Sequence, residues 1–156
     1  MNEAAITQFI STTFAGVDAV IASAASGAPE ISWGDTFFFY DPERTAKASH
    51  RFPFATIVTR DYAGFDQASN LDRPGIFRLN LGVDKAAFQS LFGSENVKTG
   101  HDFAAVDTIM PHPIYASQFW VCVLNPSETI FRNNVKPLLA VAYDLASGRL
   151  AKRSAG

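Results

Sequence analysis

The sequence predicts an α+β domain: a single, largely antiparallel sheet of at least four strands with helices packed on one face. Apolar residues recur at helical spacing near both ends, over 3–14 and 135–147. Between them, four runs rich in aromatic and β-branched residues read as strands, at 36–40, 54–59, 76–82 and 119–124. The chain has 156 residues, about the size of one domain at roughly 150 residues each. The reading assigns 1–148 to that domain and 149–156 to a flexible basic tail.

Ile6, Phe9, Ile10 and Phe14 mark the first amphipathic helix, which Ala15-Gly16 ends. Residues 17–22 read as a short strand, and Ser26-Gly27-Ala28-Pro29 breaks the chain before the strand Thr36–Tyr40. The polar segment 43–50 predicts a hairpin loop, and Pro53 belongs at the start or edge of the returning strand, where a missing N–H costs least. Residues 60–75 follow neither period yet are rich in charge and aromatics, which makes them the longest candidate functional loop. Ile76–Val83 alternates as a half-buried strand does, placing Arg78 and Asn80 on one face. Asp84 then caps a helix through Phe92 that a left-handed Gly93 stops, and 94–103 reads as loop. Residues 110–115 look irregular, and 119–124 is the strongest strand. Asn125 as N-cap, Pro126 at the first helical position and Glu128 at N3 predict a short helix that Asn133-Asn134 breaks. The stripe Val135, Leu138, Leu139, Ala142 and Leu145 starts a further helix that closes near Gly148.

Composition narrows the function classes. Thirteen Lys and Arg against fifteen Asp and Glu give a net charge of −2, which offers no global attraction for polyanions and disfavours nucleic acid. The start of the chain has no basic region or long apolar run, so the expectation is a cytoplasmic protein without membrane contact. The lone Cys122, in an apolar strand, fits a reducing compartment as a buried small hydrophobe. The three histidines form no local ligand pair, and the expectation is neither a metal nor a cofactor. Single, scattered glycines make no phosphate-binding loop, and no Gly-x-Ser-x-Gly marks a hydrolase.

Long stretches resemble a bacterial, mainly actinobacterial, domain-of-unknown-function family numbered 6194. They are Trp33–Pro42, Arg51–Val58, Ser69–Asn80 and Met110–Ala116. The resemblance spans nearly the whole chain and implies one small cytosolic domain, with no established activity and so no catalytic residue to transfer. A looser pattern, with Trp33-Gly34 before the first strong strand and Trp120 in a late strand before the last helix, is similar to MmcQ/YjbR-like proteins. That likeness implies a curved antiparallel sheet backed by helices and a DNA-binding role.

The candidate site combines aromatics with arginine. Trp33, Tyr115 and Trp120 supply apolar walls, Arg78 and Asn80 a polar floor, and His112, held between Pro111 and Pro113, a rigidly presented imidazole. Asp35, Asp72 and Arg73 form the surrounding shell. Each residue also has a plain structural reading: turn-forming carboxylates, an aromatic core with rim ion pairs, a histidine that caps a carbonyl. Arg78 is the most informative, because a charge in mid-strand must be paired or face a cavity. Asp61, Asp66 or Asp72 of the preceding loop is its expected partner, and Arg78→Met is expected to abolish binding at little cost in stability.

The leading functional expectation is a ligand-binding or interaction domain that takes a small anionic or aromatic molecule. One alternative is an enzyme of unassigned class with His112 as acid or base beside Asp35 or Asp72. Another is a DNA-binding domain. A homodimer is expected only if a Phe-rich sheet face lies exposed.

Overall fold

The structure is a computed structural model that describes residues 1–44, 51–93 and 100–148. Helix α1 (Glu3–Thr13) leads into strands β1 (Val17–Ile21), β2 (Thr36–Tyr40), β3 (Ala55–Val58) and β4 (Arg78–Gly82). Helix α2 (Lys85–Phe92), β5 (Met110–Pro111), β6 (Trp120–Leu124), α3 (Glu128–Ile130), a π-helical turn (Phe131–Val135) and α4 (Lys136–Ala146) follow. The six strands form one sheet in the order β1-β2-β3-β4-β6-β5, with every pair antiparallel. The first four strands meander, whereas β6 slots between β4 and β5, so the chain leaves the sheet after β4 and returns at its far edge.

The period of two in the strands sorts side chains onto two faces with different covers. Phe38, Ala55, Ile57, Leu79, Leu81, Val121 and Val123 point to one face and are buried against Ile6 and Ile10 of α1, Phe88 of α2, and Leu138, Leu139 and Ala142 of α4. At about 1.5–3 kcal/mol for each large aliphatic or aromatic side chain buried, this layer is the main source of folding energy. The helices begin where short side chains satisfy their free N–H groups: Asn2 and Asp84 accept from Ala5 N at 2.8 Å and Ala87 N at 2.9 Å. Among the described residues no helix packs on the opposite face at Val58, Cys122 and Leu124. There the loop between β3 and β4 lies over a small cluster of Val58, Leu71, Met110, Cys122 and Leu124, beside the row Arg78, Asn80 and Gly82.

Several local expectations are corrected. Residues 76–83 are not half-buried, because the loop seals the second face and Arg78 and Asn80 are 1% and 2% exposed. Met110 and Pro111 are a short edge strand rather than irregular, a place where proline's missing N–H needs no partner. Ser127, not Asn125, caps α3, accepting from Ile130 N at 3.2 Å. Asn125 instead ties β6 to the chain entering β4, accepting from Phe77 N at 2.9 Å and donating to Gly75 O at 2.8 Å. Asn133-Asn134 does not break the helix. The π turn carries the chain through, and this wider turn accommodates Pro137, which cannot donate to a carbonyl four residues back. It keeps both Phe131 and Val135 buried on the sheet side. Gly93 has a positive φ of 80° but with ψ −172°, so the stop is extended rather than left-handed helical. The Phe-rich strand β2 is not an open face, since Phe38 and Phe39 are buried and Phe37 is half-buried. Part of the 43–50 hairpin, most of the 94–103 loop and the 149–156 tail lie outside the described residues.

Among the described residues no helix is long and apolar enough to cross a membrane. Cys122 is buried in β6 with its sulfur 3.7 Å from the carbonyl oxygen of Pro111, and burial pushes its thiol up to about 12. An aromatic disulfide reagent is therefore expected to leave Cys122 unmodified in the native protein and to react stoichiometrically in denaturant; rapid native labelling would contradict this placement.

Candidate functional site

Strand β4 alternates Arg78, Asn80 and Gly82 against Leu79 and Leu81, which sets a guanidinium on the sheet face that the β3–β4 loop covers. Such a charge is tolerated only when its donors meet acceptors, because an unpaired buried ion costs several kcal/mol. Asp66 receives it bidentately, at 2.5 Å from Nη2 to Oδ2 and 3.0 Å from Nη1 to Oδ1. Arg78 Nη1 also donates to Ser69 Oγ at 2.9 Å, and Nε donates to Asn80 Oδ1 at 2.8 Å. Asn80 in turn donates to Thr56 Oγ1 on β3 at 3.0 Å. The loop that delivers Asp66 and Ser69 therefore docks on two adjacent strands through one arginine.

Polar ties within the loop fix the geometry of that delivery. Tyr62 and Asp66 exchange backbone hydrogen bonds of 2.9 and 2.8 Å, making a tight turn that aims Asp66 inward. Asp61 accepts from Leu71 N at 2.8 Å, and Asp72 accepts from Asp61 N at 3.0 Å. Arg73 donates to the carbonyls of Ser69, Asn70 and Ala104, binding the loop to the segment before β5. Tyr62 OH donates to Asp35, which also accepts from Thr59 N at 2.9 Å and Thr59 Oγ1 at 3.2 Å. Burial raises the Asp35 carboxyl above the usual range, and those donors partly offset it. Burial and the neighbouring Asp35 raise the Tyr62 phenol.

His112 follows the edge strand, and its backbone N–H donates to Trp120 O at 2.9 Å. Its Nδ1 accepts from both Ile114 N and Tyr115 N at 3.0 Å, in the manner of a side-chain cap on the turn that Pro113 initiates. With that lone pair occupied, the neutral ring carries its proton on Nε2. Nε2 lies 3.3 Å from Arg78 Nη2. Burial, and then the adjacent guanidinium, push the imidazole down to about 3, with Asp66 acting the other way. At neutral pH His112 is therefore an uncharged N–H donor. No lone pair is left on it to take up a proton, which removes the geometry a general base requires.

Arg78, Asn80, His112, Tyr115 and Trp120 all line one cavity of about 640 Å³. Phe37, Phe52, Phe54, Tyr62 and Phe65 supply much of its remaining wall. Gly82 is essential to this shape: a Cβ there would sit 2.9 Å from Cε2 and Cζ2 of Trp120, so only glycine lets the indole lie close on the sheet. Tyr115 stands with its ring centroid 5.0 Å from that of His112 and 6.3 Å from that of Phe65.

A family model described as a family of unknown function, DUF6194, matches residues 1–155. The chain belongs to this family. No curated protein and no solved structure matches it.

Trp33 departs from the expected site of this DUF6194 protein. It is 37% exposed at the end of a short 3-10 turn, where its indole N–H donates to Ala28 O at 2.9 Å, and it does not line the cavity. The turn preceding β2 spends the side chain on its own closure. Asp35, Asp72 and Arg73 also stay out of the cavity lining, and neither Asp35 nor Asp72 bonds to His112; the first anchors Tyr62 and the other two shape the loop. Of the three carboxylates offered for Arg78, Asp66 alone pairs with it. Sequence reasoning passed over Tyr62, Thr56, Ser69, Gly82 and Phe52. Gly82 opposite Trp120 becomes visible only with the β4–β6 register, and nothing in the sequence marks Phe52, which is 90% exposed at the cavity mouth.

The buried pair reverses the expected effect of Arg78→Met. Removing the cation strands Asp66, so the substitution is expected to cost about 3–5 kcal/mol by chemical denaturation. The double variant Asp66→Leu/Arg78→Met is expected to be more stable than Arg78→Met alone, and an equal or larger loss in the double variant would contradict the pairing.

His112 generates a pH prediction. Its pKa is depressed on folding, so its contribution is full above the unfolded value of about 6.5 and is lost as pH falls towards 3. Across that window stability should fall by up to about 1.4 kcal/mol per pH unit for this one proton. Asp35, raised on folding, opposes the trend at the acid end. His112→Asn should flatten the slope between pH 6.5 and 4.5; an unchanged slope would contradict the buried neutral imidazole.

Proposed function

We propose that the protein is a cytoplasmic small-molecule-binding domain whose ligand is an aromatic or largely apolar molecule with one polar end. The observation that carries this reading is the combination in one cavity of aromatic walls with a buried, convergent polar base formed by Arg78, Asn80 and His112. A pocket of this composition gains affinity from apolar burial and orientation from a few fixed hydrogen bonds. Its volume suits a molecule of two or three rings rather than a macromolecule. Rigid anchoring of Arg78 and His112 supports the reading, since a ligand then meets donors that need no reorganisation. The cytoplasmic assignment rests on the free, buried Cys122. A binding role is favoured over acid–base catalysis because the His112 ring has its lone pair engaged by two backbone N–H groups.

Titration with a panel of small bicyclic aromatics, followed by amide and indole NMR shifts, tests this. The expected shifts concentrate at Gly82, Tyr115 and the Trp120 indole, and Trp120→Ala should weaken binding at least roughly tenfold, the loss of one good aromatic contact and its buried area. Shifts confined to other surfaces, or undiminished binding by Trp120→Ala, would overturn the proposal.

A further inference from the structure

Arg78 has five N–H bonds, and four of them have acceptors. Nε–H meets Asn80, the two on Nη1 meet Asp66 and Ser69, and one on Nη2 meets Asp66. The fifth points at His112 Nε2. That nitrogen is itself a donor, because Ile114 N and Tyr115 N occupy Nδ1. Two N–H groups thus converge within 3.3 Å on side chains 1% and 3% exposed, at the base of a cavity, and among the described residues no acceptor serves this pair. Leaving two such donors unmet is costly, whereas a single oxygen with two lone pairs could accept from both.

The charge balance selects the kind of oxygen. Asp66 neutralises the guanidinium at contact distance, and the imidazole is uncharged, so the base of the cavity has donors without net positive charge. A carboxylate or phosphate placed there would lose its hydration and stand close to Asp66 with no unpaired cation in return. A carbonyl oxygen has no such charge to desolvate. Above this point Trp120, lying close on Gly82, offers a flat apolar wall for whatever body carries the carbonyl.

We propose that the ligand is a neutral aromatic carbonyl compound, a ketone, ester or amide, whose oxygen bridges Arg78 Nη2–H and His112 Nε2–H. This inference rests on the small-molecule reading above and specifies its polar end.

Three matched probes decide it: 2-acetylnaphthalene, 2-naphthoate and 2-ethylnaphthalene, titrated by calorimetry and by NMR of the His112 ring nitrogens at pH 7. The ketone is expected to bind about tenfold more tightly than either of the others, the size of one good hydrogen bond to a charged donor, and to shift the Nε2–H signal. His112→Asn keeps an acceptor to cap Ile114 and Tyr115 but withdraws the Nε2 donor. It should remove the ketone's advantage, so that the variant binds the ketone and 2-ethylnaphthalene equally. Tightest binding by 2-naphthoate overturns the neutral-carbonyl inference. So does equal binding of ketone and hydrocarbon, and if Trp120→Ala then weakens both, the small-molecule reading survives. Absence of binding by all three at millimolar concentration overturns both. If His112→Asn fails to fold, the ranking of the three probes in the unsubstituted protein decides alone.

Discussion

A guanidinium sealed within a sheet must find an acceptor for nearly every donor, and much of this protein's architecture answers that demand. Arg78 opens β4, between strands on both sides, and at 1% exposed it is out of reach of solvent. The solution is a loop that leaves β3, turns, and lays Asp66 and Ser69 back over the strand it is about to enter. The loop has no helix or strand of its own to stiffen it. Its rigidity comes instead from Asp61, Asp72, Arg73 and Tyr62, each of which bonds within the loop or to its immediate support. Burying Arg78 also couples the layers: loop, β3, β4 and the turn after β5 all touch one charged group, so loosening any of them exposes the others to its desolvation cost.

The two sheet faces therefore obey different physics. The helix-covered face is held by dispersion and apolar burial among aliphatic and aromatic side chains, which tolerate volume-conserving exchange. The loop-covered face adds to its small apolar cluster directional bonds to charged groups, which tolerate little exchange of chemistry. A cavity beside the second kind of packing inherits fixed donor positions, and one beside the first would have only shape to offer. The cavity reaches Ala142 and Leu145 of α4 at one end and His112 at the other, so it spans this boundary.

The elements that a simple period can express were readable from the sequence. Thr36–Tyr40 was placed to the residue, and α1, α2 and the strands at 55–58, 78–82 and 120–124 fell within the expected spans, because alternation and caps are local properties. The π turn was not readable: Asn133-Asn134 signals a break, and only burial of both Phe131 and Val135 against the sheet carries the helix across. Within the site, the pairing of Arg78 with a loop carboxylate followed from the cost of a buried charge, yet the choice of Asp66 depends on the turn at 62–66, which sequence does not encode at that resolution. Trp33 shows the opposite limit. Being aromatic and near the right strand put it among the candidates, but a five-residue hydrogen bond to Ala28 O settles its side chain locally.

A second arginine on the loop-covered face shows why counts of basic residues say little about what this face attracts. Arg51 lies with its guanidinium carbon 4.1 Å from the centre of the Phe39 ring and donates to Asp18 at 2.6 Å and Asp41 at 3.2 Å. Like Arg78, it is matched by carboxylates from neighbouring segments, here two of them. Phe37 stacks beside Phe39, with ring centroids 6.5 Å apart, and carries the apolar surface from this ion cluster to the cavity. Arg51 and Arg78 thus project no unopposed positive field at these contacts. A polyanion would have to compete with Asp18, Asp41 and Asp66 for guanidinium groups they already pair with. An uncharged molecule entering between the clusters displaces no ion pair, and for it the aromatic wall and the remaining N–H donors are the features that discriminate.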